Sequence, residues 1–90
     1  MTALEFDPHK NALNEARHGI SLSFAGELDW DAALVWVDGR FGYDELRMIA
    51  LAPATNRLYY VAFVYRGATR RIISVRRATR LEVNHYVENS

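Results

Sequence analysis

Leu58-Tyr59-Tyr60-Val61-Ala62-Phe63-Val64-Tyr65 is apolar or aromatic at every position, and it decides the fold. A strand of this kind needs cover on both faces, so it belongs in the middle of a sheet. Arg66-Gly67-Ala68-Thr69 makes a tight connection, and Arg71 to Val75 reads as the last strand. Thr79-Arg80-Leu81-Glu82 then forms a capping box, with Thr79 as N-cap and Glu82 three residues on. A C-terminal helix therefore starts at Arg80 and runs to about Val87.

On the N-terminal side, Arg47 to Leu51 is a strand that leads into the turn Pro53-Ala54-Thr55-Asn56. Before it, Ala33 to Val37 is a β-rich run ended by Asp38-Gly39, with Arg40 to Asp44 as a glycine-containing loop. A second short helix is expected from Ser21 or Ser23 to Leu28, with Phe24 and Leu28 on one face and Asp29-Trp30-Asp31 closing it. The first helix spans roughly Pro8 to Arg17. Asp7 caps it, Pro8 stands where a missing N–H costs nothing, and Ala12, Leu13 and Ala16 give it an apolar stripe. Gly19 follows, where a positive φ ends a helix, and Leu4-Glu5-Phe6 opens the chain as a short strand.

The expected fold is α+β, with a small antiparallel sheet, two N-terminal helices and one C-terminal helix in the order β-α-α-β-β-β-β-α. Ninety residues, half of them hydrophobic, make a single domain over 1–90 with a modest core. The absence of cysteine excludes disulfides and cysteine-ligated zinc, and points to a reducing compartment. No apolar run is long enough to cross a bilayer, and the first ten residues lack a signal-peptide layout. The expectation is a cytoplasmic protein.

The net charge is zero but unevenly spread. Residues 1–45 carry three basic and nine acidic side chains, and residues 46–90 carry eight arginines and two glutamates. A basic half suits a polyanion or an acidic protein partner, unless the two halves neutralise each other within the fold. Arg70, Arg71, Arg76 and Arg77 bracket the last strand, and Arg76 and Arg77 precede a helix N-terminus. Guanidinium groups and backbone N–H groups there suit a phosphodiester and the added charge of its transition state. The competing reading pairs these arginines with Glu82, Asp44 or Glu45 as ordinary strand ends.

Other candidates carry two readings each. His18 serves either as an acid–base group or as a cap bonding the last carbonyls of its helix. Lys10, the single lysine, offers one point charge. Tyr59, Tyr60 and Tyr65 stack bases or fill a core. Asp29 and Asp31 are too few for a two-metal centre and read as a solvated turn. No phosphate loop, HExxH or GxSxG motif occurs, so no cofactor or metal is expected.

Taken in order, Phe6-Asp7, Lys10, Asn14, Arg17-His18-Gly19-Ile20, Glu45 with Arg47, Arg66-Gly67 and the run Arg71-Ile72-Ile73-Ser74-Val75-Arg76-Arg77-Ala78-Thr79-Arg80-Leu81-Glu82 before Tyr86 resemble the BrnT toxins. The resemblance implies a RelE-like fold and metal-free RNA cleavage, in which a ribose 2′-OH attacks its own phosphate. It implies that Arg66, Arg76 and Arg77 hold that phosphate, and that Lys10 and His18 contact substrate or transfer protons. It further implies a cognate antitoxin, of ribbon-helix-helix type, that neutralises the toxin and binds operator DNA on behalf of the pair. The alternative is an inactive module that only grips an antitoxin.

Overall fold

The computed structural model describes residues 3–39 and 45–89, so the expected Arg40–Asp44 loop lies outside the described residues. In chain order the elements are β1 (Ala3–Glu5), α1 (Pro8–His18), 3-10 turns at Leu22–Glu27 and Trp30–Ala32, β2 (Leu34–Val37), β3 (Arg47–Ala54), β4 (Arg57–Arg66), β5 (Thr69–Arg77) and α2 (Arg80–Glu88). The class is α+β, as expected, and β4 lies in the middle of a five-stranded sheet ordered β1-β5-β4-β3-β2.

The sheet is mixed rather than wholly antiparallel. Tight turns force β3, β4 and β5 into antiparallel pairs, but no hairpin joins β1 to β5, and β1 pairs parallel at Ala3–Thr69, Leu4–Arg70 and Glu5–Arg71. The expected second α-helix is also corrected. Ser21 caps Leu22–Glu27 as a 3-10 segment, and the Asn11 side chain accepts from the Leu22 N–H at 2.6 Å, which fixes the entry before an α-helical turn can form. The Asp29-Trp30-Asp31 stretch adds one more 3-10 turn, with Asp29 accepting from Ala32 N.

One face of β4 presents Tyr59, Val61 and Phe63 to a core shared with Leu22, Ala25, Leu28, Ala50, Ala52, Ile72 and Val75. Trp30 closes this core edge-on to Phe63, with ring centroids 5.4 Å apart, and donates its indole N–H to Ala25 O. The opposite face carries Tyr60, Ala62, Val64 and Arg66. Helix α2 attaches on that side by few contacts: Tyr86 Oη donates to Ala32 O at 2.6 Å, and His85 meets Trp36 edge-on. No residue of α2 is buried.

Helix α1 is held by one buried side chain. Asn14, 6% exposed, donates from Nδ2 to Ile20 O and to Val75 O, both at 2.8 Å. Its Oδ1 accepts from Val75 N at 3.2 Å and from Ser74 Oγ at 3.3 Å. The carboxamide thus pairs with a strand edge that β1 is too short to reach, using both of its protons and both acceptor sites. Asp7 caps the start of α1, and Gly19 ends it at φ 70°, as the sequence predicts.

Candidate active site

The side chains of β5 do not alternate regularly. Val61 pairs with Val75 and Ala62 with Ser74, but Phe63 pairs with Ile72, so one residue of β5 is extra at that step. Such a bulge reverses which face the residues beyond it occupy. Arg70, Ile72, Val75 and Arg77 therefore share the core face, and Arg71, Ser74 and Arg76 share the other. Strict alternation predicts a different division, with Arg70, Ile72, Ser74 and Arg76 on one face and Arg71, Ile73, Val75 and Arg77 on the other.

The tight β4–β5 turn sets Arg71 level with Val64 of β4, and β3 places Arg47 beside Val64, so the three stand in one row across the sheet. Arg66 lies next on that face, and Lys10 reaches it from α1, one helical turn before Asn14. Lys10, Glu45, Arg47, Val64, Arg66, Arg71 and Ile73 line a single cavity of about 260 Å3. Four cations and one carboxylate thus share one small concavity.

Two ion pairs order its walls. Arg66 donates to Glu45 at 2.7 Å, and Arg71 reaches Glu5 at 3.4 Å. The Glu45 hydrogen bond and charge hold the Arg66 guanidinium above its ordinary pKa, so it stays cationic. The first pair is exposed and the second only partly buried, so both are worth little to stability, which leaves these arginines available to a stronger anion. Among the described residues no group of three or more His, Asp or Glu converges to hold a metal ion.

The remaining candidates lie elsewhere. Arg76 shares the cavity's face, but both of its terminal nitrogens bond Glu82, at 2.8 and 2.9 Å, and its guanidinium lies 3.8 Å from the centre of the Tyr60 ring. That matches the reading of Arg76 as a strand-end arginine paired with Glu82. Arg77 points to the core face, beside Tyr59 and Phe24. His18 ends α1, about 12 Å along the helix axis from Lys10, and does not line the cavity. Of the three tyrosines, Tyr59 is core, Tyr60 lies under Arg76, and Tyr65 is exposed against Phe63. Arg47 and Arg71 escaped the sequence reading as cavity residues, because only cross-strand register aligns them.

No curated protein matches the chain. The family model for the ribonuclease toxin BrnT of type II toxin–antitoxin systems matches residues 6–82, a span that includes every residue of the cavity. A type II toxin implies an antitoxin partner, and the chain belongs to the BrnT family of ribonuclease toxins.

Proposed function

We propose that the protein is a metal-independent endoribonuclease whose reaction centre is the cavity between α1 and the β3–β4–β5 row. The observation that carries this reading is the convergence of Lys10, Arg47, Arg66 and Arg71 on one anion-sized space. The scissile phosphate sits among the three guanidinium groups, which offer planar forks to its oxygens and stabilise the extra charge of the pentacoordinate transition state. The ribose 2′-oxygen attacks phosphorus and the bond to the 5′-oxygen breaks. Glu45, the carboxylate on the cavity wall, accepts the 2′-OH proton, and the Lys10 ammonium protonates the departing 5′-oxygen. The products are a 2′,3′-cyclic phosphate and a 5′-hydroxyl. Cleavage blocks translation and growth until the antitoxin binds.

The reading is tested by incubating purified protein with RNA in EDTA and analysing the new ends. Cleavage with cyclic-phosphate ends is expected, and Arg71→Ala should slow it about 100- to 1000-fold, the loss typical of one transition-state donor. Full activity of Arg71→Ala and Arg66→Ala together refutes the assignment of the centre. Cleavage abolished by EDTA refutes the mechanism.

A further inference from the structure

A second concavity lies at the opposite end of β4 from the reaction centre, where the β3–β4 turn meets the start of α2. Pro53, Leu58, Ala78, Val83 and Tyr86 provide an apolar lining for about 420 Å3, with Arg57 and Arg77 also on its walls. Arg57 and Arg66 are the two ends of β4, about 30 Å apart at the usual strand rise.

Two kinds of unpartnered surface coincide here. Arg66, Arg71 and Arg76 each pair with a carboxylate, but Arg57, Arg77 and Arg80 are exposed and make no ion pair among the described residues. Arg80 also stands in the first turn of α2, where a cation opposes the helix dipole, so helix stability does not account for it. The neighbouring helix leaves Val83, on the groove wall, 39% exposed, and buries none of its residues.

We propose that this groove is the docking surface for the antitoxin, and that the antitoxin fills it with an acidic segment carrying apolar anchors. Its carboxylates meet Arg57, Arg77 and Arg80, and an apolar side chain packs on Pro53, Leu58 and Val83. Charge complementarity selects an acidic occupant, and the apolar lining selects a protein over RNA, whose backbone gains nothing from proline, leucine and valine. The surface is distinct from the reaction centre, and the inference rests on the family's need for an antitoxin rather than on the proposed chemistry.

The test uses the full chain and the product of the reading frame adjacent to it, co-expressed and then titrated as purified proteins. Arg57→Glu combined with Val83→Glu should weaken the complex at least ~100-fold, as expected for a reversed interface charge beside a lost apolar contact. The variant should keep its circular dichroism spectrum and its RNA cleavage, and the antitoxin should no longer rescue growth. Lys10→Ala should leave the affinity within about threefold, since exposed charges outside an interface contribute little. Should Arg57→Ala and Val83→Ala, the milder pair, also leave affinity unchanged, the proposal is overturned. Loss of RNA binding by the Glu variants assigns the groove to RNA and overturns it. Loss of self-association does the same in favour of a second copy of this chain. Failure of the wild-type chain to bind the adjacent product also overturns it, whether or not RNA is cleaved.

Discussion

Replacing Asn14 by leucine keeps the branched heavy-atom skeleton of the side chain and removes the carboxamide that ties α1 to β5. The substitution strands the Val75 N–H and the Val75 carbonyl, both in buried hydrogen bonds, together with the more accessible Ile20 carbonyl and Ser74 hydroxyl. A buried polar group left without a partner costs about 1–3 kcal/mol, and water can reach the two outer ones. Two buried losses, offset by about 1 kcal/mol for the more apolar side chain, leave a net destabilisation of about 1–5 kcal/mol, centred near 3. Ninety residues typically support roughly 5–13 kcal/mol, so the variant stays folded at room temperature with a large share of its stability gone. At the central value of about 3 kcal/mol the melting temperature should fall by about 12–24 °C, at 4–8 °C per kcal/mol for a domain of this size. Urea titration followed by circular dichroism checks the figure, with an unchanged m-value showing that the transition remains two-state. Lys10→Ala, on the same helix but exposed, should stay within ~0.5 kcal/mol of the parent. If Asn14→Leu also stays within that range, the carboxamide is not what fastens the helix, and its four hydrogen bonds are incidental.

Three further outcomes are expected. Burial pushes the Glu82 carboxyl up, but its bonds with Arg76 and Thr79 outweigh that and hold it below its ordinary value of 4.5. Its contribution is therefore complete above about pH 4.5 and disappears as pH falls through the lower folded value; Glu82→Gln should flatten that part of an acid-unfolding curve. Thr55, a β-branched residue at φ 56°, strains the β3–β4 turn, so Thr55→Gly should raise stability by about 0.5–1 kcal/mol, and a lower melting temperature would count against the strain. Tyr86→Phe removes the 2.6 Å bond to Ala32 O and should cost about 0.5–1.5 kcal/mol, with faster amide exchange along α2; unaltered exchange there would show that other contacts hold the helix.

The local elements were legible because their signals are short-range. Asp7-Pro8 and Gly19 delimit α1, Thr79 and Glu82 form the capping box at α2, and the unbroken apolar run marks β4 as central. The segment after Ser21 misled because a serine cap and an apolar pair look alike in α and 3-10 turns, and the deciding partner, Asn11, comes from another element. Adjacent arginines on a strand face opposite ways, so Arg76 and Arg77 could not share one phosphate unless the backbone left the sheet before them, and β5 continues through Arg77. Of the cavity residues, Lys10 and Arg66 were among the sequence candidates, while Arg47 and Arg71 needed the register.

By itself, the sequence determined the five strands and the two α-helices at either end, the caps, the central strand and the family, all of which rest on residue types a few positions apart. Tertiary structure alone decided that β1 pairs parallel, that one extra residue near Ile73 puts Ser74 and Arg76 instead of Val75 and Arg77 on the face of Arg71 and Arg66, and that Lys10 closes the cavity there. The physical reason is that a sheet's faces are set by cross-strand hydrogen bonding. A single added residue exchanges the two faces without altering any local propensity.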